Sequence, residues 1–354
     1  MATYYVTTSG SDSNNGLSEG TAFATPAYAA SQATASGDKV YVKEGTYTLT
    51  TATQNVSGGT IGVATGVLFE GYKTAIGDRL AKPIIHAGSI TNATIIAHSS
   101  PSFRQLASFV RSIEVDGNNG TSNTGCDANS NYIGTFENCI ARNCEVGFRA
   151  YSSRGFIFNC SAFDCLQYGF YTFHAVSCYA KGCNSGFYGG GFVYSGCIAY
   201  NNTVYGFQID NSFSTAFDRC VAYGNGSDGF YNPYDIGFAN RCISVGNAYG
   251  FNFGAISTAD AALLDCADYN NTSGRVFQAS SNRDIRPINL TGDPFTNPSG
   301  DDFSLNDIAG AGADLRQIQL SGLAGVNGVF DVGAIDAIVT AGGGGATVHP
   351  LYAN

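Results

Sequence analysis

The chain has 354 residues with 46 Gly, no Trp and a hydrophobic share of 44%. Only 12% of residues are charged, about half the usual share of roughly 25%. The net charge of −10 and the lack of any basic run speak against a nucleic-acid partner. No apolar run is long enough to span a bilayer, and the N-terminus MATYYVTTSG has neither the basic nor the apolar region of a secretory leader.

Residues 3–7 alternate as a first strand, and a polar loop, GSDSNNG, follows. Thr25-Pro26 then opens an Ala-rich stretch. Thr25 is placed to cap a short helix, Pro26 suits its first turn, and Gly37-Asp38 ends it. Residues 39–49 read as strand, turn and strand. Residues 61–116 supply irregular coils, with strands expected at 67–69, 84–85, 94–97 and 109–115. Residues 116–131, DGNNGTSNTGCDANSN, read as the longest polar insertion, a loop projecting from the stack and a candidate contact loop.

The organising stretch is 136–252. Cys139-Ile-Ala-Arg-Asn-Cys144 is followed by Gly147-Phe148, and the pattern restarts at Cys160, Cys178, Cys197, Cys220 and Cys242, with a degenerate copy at Cys266. A period of about 20 residues is too short for a helix-turn-helix repeat or a propeller blade. It fits one solenoid coil of short strands. The expected fold is all-β: a single-stranded parallel β-helix with a short N-terminal helical cap and an irregular C-terminal cap. Stacked coils predict ladders. One is Cys139 to Cys266 and the next is Ala141, Ala162, Ala180, Ala199, Ala222 and Ser244. A turn ladder starts as Cys144, Cys165 and Cys183 and continues as Asn202, Asn225, Asn247 and Asn271. The fourth is the Phe of each Gly-Phe pair. Since Asn replaces the second Cys while the coil survives, the cysteines read as packing residues with free thiols, in keeping with folding in a reducing cytoplasm. The four His (His86, His98, His174 and His349) lie off metal-ligand spacing and outside any triad context.

The N-terminal segments YYVTTSGSDSNNG, TAFATPAYAASQA and GDKVYVKEGTYTL, and then VLFEGYKTAIGDRLAKPIIHAG, resemble the cap and first coils of the pectin-lyase-like right-handed β-helix superfamily, phage-type members included. The resemblance implies a right-handed helix. The superfamily spans lyases, hydrolases and tailspikes, so it leaves the activity open. From Asp284 the pattern changes; residues 291–336 resemble the closing segment of such proteins and are expected to cap the C-terminal end. The resulting division is 1–38 strand and capping helix, 39–280 β-helix, 281–340 C-terminal cap, and 341–354 Gly linker and tail. That tail either docks on a neighbouring subunit or stays disordered.

The Asp-Asp, Gly-His-Gly and related sets that mark hydrolases of this superfamily do not occur in the repeats. A lyase needs a base beside clustered acids. Arg142, Arg149, Arg154 and Lys181, with Glu137, Glu145 and Asp164, are the residues to converge, against the plainer reading of solvated surface charges. Asp12, Asn14 and Asn15, and likewise Asp116, Asn118 and Asn119, read as polar turns rather than cation sites. No catalytic, metal or cofactor residue is assigned. The outward rows are the better candidates: Tyr171, Tyr188 and Tyr231 follow the ladder Phe, and Tyr200 and Tyr223 lie three after the ladder Cys. Exposed tyrosines stack sugars, bury against another subunit, or pack on one another. The leading functional reading is a non-enzymatic virion surface component of a bacteriophage, homotrimeric and bound to other virion proteins. The alternatives are a polysaccharide lyase or hydrolase and a carbohydrate-binding adhesive protein.

Overall fold

The computed structural model describes residues 1–49, 61–99 except 79 and 81, 108–128 except 119–121, 134–150, 155–190, 193–210, 215–233, 237–253, 262–277 except 275, 283–313, and 315. The linker and tail, Arg154, and parts of the 116–131 stretch lie outside them. Each coil contributes one strand to each of three parallel sheets, of 12, 11 and 10 strands, here called sheets I, II and III in the order the chain visits them. In one coil these are Gly134–Glu137, Ile140–Arg142 and Val146–Ala150. Every strand pairs with its counterpart one coil away, as in Ala141↔Ala162 and Phe148↔Phe170.

The local causes are simple. Sheet I passes to sheet II through a single left-handed residue, Asn138 (φ 55°), Asn159 (50°) or Ser177 (53°), which sharply redirects the chain. The next residue is the ladder Cys, aimed inward and buried. Sheet II passes to sheet III through a second left-handed residue, such as Asn143 or Gly182, followed by the Cys/Asn ladder. There Asn202 Nδ2 donates to Asn225 Oδ1 at 2.9 Å, and Asn225 Nδ2 donates to Asn247 Oδ1 at 2.9 Å, so each amide satisfies the next along the axis. The Gly of each Gly-Phe pair is dictated by the approach of neighbouring coils. A Cβ at Gly147 would lie 2.6 Å from the Gly169 carbonyl oxygen. The ladder Phe rings stack at 4.7–5.0 Å from Phe148 to Phe251, at interplanar angles of 10° or less. All 11 cysteines are free and buried. Burial pushes the Cys144 thiol up to about 12, so these sulfurs serve as small apolar fillers that donate weakly to carbonyls, as Cys178 does to Val176 at 3.3 Å.

The expected N-terminal strand and capped helix are present, but the helix ends at Gln32, before Gly37-Asp38. Thr3–Val6 pairs with Lys39–Lys43. The helix Pro26–Gln32 starts where Thr25 Oγ1 accepts from the Tyr28 amide at 3.2 Å. It packs its alanines on Ile61–Ala64, the first strand of sheet III, and so covers an edge that would otherwise be open.

One expectation needs correction, and another falls in large part outside the described residues. The described residues of 116–131 do not form a single projecting loop. Thr124–Asp127 is a regular strand of sheet III, with Cys126 in the Phe ladder and Asn123 buried at the turn. Thr-Gly-Cys-Asp stands there where the next coil has Val-Gly-Phe-Arg. The expected C-terminal cap, 281–340, includes residues 314 and 316–340, which lie outside the described ones. After Ile288–Asn289 extends sheet II, the chain turns back as an antiparallel pair, Phe295–Asn297 with Asp302–Leu305, and lies along the outer face of sheet II.

Candidate functional site

Sheet II has two outward rows. The first runs Tyr179, Ile198, Val221, Ile243, and the second Lys181, Tyr200, Tyr223, Val245. The returning hairpin covers both. Phe303 sits 5.3 Å from Tyr200, 5.8 Å from Tyr223 and 5.3 Å from Phe295, all at steep edge-to-face angles. Asp301 accepts from the Tyr179 hydroxyl at 2.7 Å and from Lys181 Nζ at 2.7 Å, and Asp293 accepts from the Tyr223 hydroxyl at 2.7 Å. The result is a second apolar core outside the solenoid. Tyr200 keeps 6% of its surface exposed. The chain's own C-terminal segment thus buries Tyr200 and leaves Tyr223 half-buried.

The charged residues nominated for a lyase site are not brought together. Arg142 and Lys181 project from sheet II, where Arg142 pairs with Glu114 at 2.7 Å and Lys181 with Asp301. Arg149 projects from sheet III and pairs with Asp127 at 2.5 Å. Glu137 lies on sheet I with Arg111 at 2.7 Å. Glu145 accepts from Gln167, and Asp164 occupies a left-handed turn position. Asp12 is a structural cap, accepting from the amides of Ala24 and Thr25 and from the Thr25 hydroxyl at 2.8–3.0 Å. Asp116 takes the Asn118 amide and Asn143 Nδ2. His98 has a partner that sequence spacing hid: Ser108 Oγ lies 2.5 Å from its Nδ1. The pair is sealed in the core against Phe136, and burial pushes the imidazole down to about 3, which keeps it neutral and structural.

Among the described residues, none covers the outer face of sheet III as the hairpin covers sheet II. Its central outward row runs Asp127, Arg149, Tyr171, Tyr188, Gln208, Tyr231, Asn252. The expectation that Tyr171, Tyr188 and Tyr231 face outward holds; each remains half-buried by its neighbours. A second row, missed from the sequence, opens each strand: Tyr168, Ser185, Tyr205, then Asp228 and Tyr249. Its signal was present in the recurring Tyr-Gly-Phe at 168, 205 and 249. The rows interlock. Tyr168 stacks on Tyr188 at 4.0 Å and 16°, with Tyr171 against both. Tyr205 stacks on Tyr231 at 4.9 Å and 13°. The two clusters sit about two rungs, roughly 10 Å, apart. Gln208 lies between them, oriented by a hydrogen bond from Ser185 Oγ at 3.0 Å.

Carboxylates flank the clusters. Asp210 follows its strand and takes a hydrogen bond from Tyr188; burial raises its pKa, and the Tyr188 bond offsets part of the shift. Burial first, and then the Asp210 charge, raise the Tyr188 phenol further above its usual range. Asp228 accepts from Asn252 Nδ2 at 2.9 Å and from Ser227 at 3.2 Å, and burial again raises its pKa. The face thus offers flat aromatic surface bordered by acceptors and amides, the pairing of chemistries that sugar rings and their hydroxyls require.

No family model matches the chain, and no curated protein matches it. Among solved structures it is similar to pectate lyase Pel9A, with TM-score 0.53 and 18% identity over 80% of this chain and 79% of that one. A rhamnogalacturonan lyase gives 0.45 and 15% over 77% and 74%. The A-module of the Azotobacter vinelandii mannuronan C-5 epimerase AlgE6 gives 0.42 and 12% over 75% and 93%. The likeness to Pel9A establishes the right-handed parallel β-helix of the pectin-lyase kind, as the N-terminal resemblance implied; at this identity it speaks to the fold alone.

Proposed function

We propose that this chain is a polysaccharide-binding β-helix that holds a glycan along the outer face of sheet III. One observation carries the reading: the Tyr168–Tyr171–Tyr188 and Tyr205–Tyr231 clusters stay open, whereas the equivalent aromatic row of sheet II is covered by the chain itself. The likeness of the fold to pectate lyase Pel9A supports a carbohydrate ligand without assigning a reaction. A glycan array, followed by affinity measurement on the best ligand, tests the reading. Tyr188→Ala and Tyr231→Ala should each weaken binding about tenfold or more, and unchanged affinity in both would overturn it. New reducing or unsaturated ends that vanish in Asp210→Asn would convert the binding face into an active site.

A second reading, the homotrimeric virion surface component, is favoured by sheet I. Its outward row Phe156, His174, Val193, Ala216, Phe238 is short of charge, and Phe156, Val193 and Phe238 are 38–41% exposed. A second copy fits this row because two identical stacks share one rung spacing and match coil for coil. Light scattering on the full chain decides it: a monomer at micromolar concentration removes this reading and leaves the glycan face untouched.

A further inference from the structure

The charges of the described residues are distributed unevenly around the solenoid. Arg111 and Glu137 pair on sheet I, Arg142 and Lys181 project from sheet II, and Arg219, Arg241 and Arg286 occupy the turn between sheets I and II. Sheet III receives acids instead. Asp127, Glu145, Asp210 and Asp228 lie on or beside its outward rows. Among the described residues the one cation there is Arg149, already 2.5 Å from Asp127; Arg154 and Arg275 lie outside the described residues. The remaining polar groups are Gln208, Asn252, Ser185 and the tyrosine hydroxyls.

We infer that the glycan held on sheet III is uncharged rather than uronic. The inference rests on the glycan-binding reading and specifies its ligand class. A uronate bound across the Tyr188 and Tyr231 clusters would bring carboxylates beside Asp210 and Asp228, and the one described cation on the face, Arg149, is already paired with Asp127. Like charges facing each other at close range select against a ligand more effectively than any single hydrogen bond selects for one. A neutral sugar meets the opposite situation. Its hydroxyls are donors as well as acceptors, and carboxylates, which only accept, pair with donors. Asp210 is held for this role by Tyr188; Asp228, only 3% exposed and bonded by Asn252 and Ser227, adds its charge beside the face rather than a free acceptor. The overall charge of −10 acts in the same direction at long range, repelling an anionic polymer before contact.

The test pairs ligands of identical backbone. β-1,4-linked gluco- and manno-oligosaccharides are compared with the same chains oxidised to uronates at C6, at about 20 and about 200 mM salt. The neutral member should bind at least about tenfold tighter than its uronate partner, with little dependence on salt. The Asp210→Asn/Asp228→Asn variant should narrow that gap by improving uronate binding. Uronate binding that equals or exceeds neutral binding in the wild type and falls with salt would overturn the inference while leaving the glycan reading intact. Binding of neither series, by wild type and Tyr188→Ala alike, would remove the glycan reading and this inference with it.

Discussion

Sheets II and III carry outward tyrosines of the same origin, in rows of one residue per coil, yet one face has become core and the other surface. On sheet II, Tyr200 and Tyr223 close around Phe303 under a hairpin pinned by Asp293 and Asp301. On sheet III the tyrosines stack on one another, Tyr168 on Tyr188 and Tyr205 on Tyr231. The residue type does not decide between these outcomes; a segment arriving from 70 to 120 residues downstream does. An aromatic row on a solenoid is therefore an offer of binding surface, and the chain itself accepts one of the two offers.

The largest way to break the contrast is to remove the cover. Phe303→Ala should cost about 3–5 kcal/mol of unfolding free energy, the range for truncating a fully buried Phe. Hydrogen exchange should accelerate in Tyr179–Lys181, Ile198–Tyr200 and Val221–Tyr223 while Ser185–Gly189 and Tyr205–Ile209 keep their protection. A loss below about 1 kcal/mol, or protection lost on both sheets equally, would mean the hairpin is not the structural element described here.

Next in size is the direct comparison of like residues. Tyr200→Ala empties a site that is 6% exposed and should cost about 3 kcal/mol, whereas Tyr188→Ala on the open face should cost about 1 kcal/mol or less beyond its stacking with Tyr168. Chemical denaturation of the two variants side by side reads the difference. Glycan affinity should show the reverse order, falling for Tyr188→Ala and staying constant for Tyr200→Ala. Equal stability losses would contradict the division into core and platform.

Much of the solenoid was legible because a repeat states its geometry many times over. Cys139 alone resembles a metal or disulfide residue; Cys139 aligned with Cys160 through Cys266 reads as a core ladder. The replacement of Cys183 by Asn202 in the next coil likewise exposes the amide ladder that the hydrogen bonds confirm. Single coils that depart from the consensus were harder. Cys126 substitutes for the ladder Phe, and polar flanks disguised Thr124–Asp127 as a loop. Tyr168, Tyr205 and Tyr249 were missed because the reading looked after each Gly-Phe and not before it. The cover on sheet II was not legible at all. Residues 295–305 alternate as many strands do, and nothing local in them names Tyr179, Tyr200 or Tyr223 as the surface they cover. Such long-range contacts are specified by shape and by a few polar anchors, which a one-dimensional pattern does not contain.

A smaller test addresses those anchors. Asp301→Ala leaves the Tyr179 hydroxyl and Lys181 Nζ without their acceptor. The ammonium is about one-third exposed and water screens it, so the loss should be about 1–2 kcal/mol, most of it from the phenol. A double-mutant cycle with Lys181→Met should assign less than about 1 kcal/mol to the ion pair itself; a larger coupling would mean that the hairpin is held by charge rather than by its aromatic contacts.

The smallest expected effect separates the open face from the covered one by pH. Burial raises the carboxyl of Asp228 above its ordinary 3.8, and the side chain is only 3% exposed, so the folded chain keeps this proton to higher pH than the unfolded chain does. Between 3.8 and the raised value the folded state therefore binds more protons, and stability falls as pH rises through that window. Below 3.8 both states are protonated and the penalty is absent; at neutral pH it is fully present. Asp228→Asn keeps an acceptor for Asn252 Nδ2 and removes the charge. The variant should thus be more stable than wild type at pH 7, with the advantage fading to nothing below 3.8. Denaturation midpoints across pH 3 to 7 measure it. A variant less stable at neutral pH would show that the bonds from Asn252 and Ser227 to the carboxylate outweigh its desolvation. Asp228 would then be a fixed structural acceptor, a role like that of Asp301 under the hairpin, and the outer rows of sheet III would be more rigidly built than a surface that only awaits a ligand.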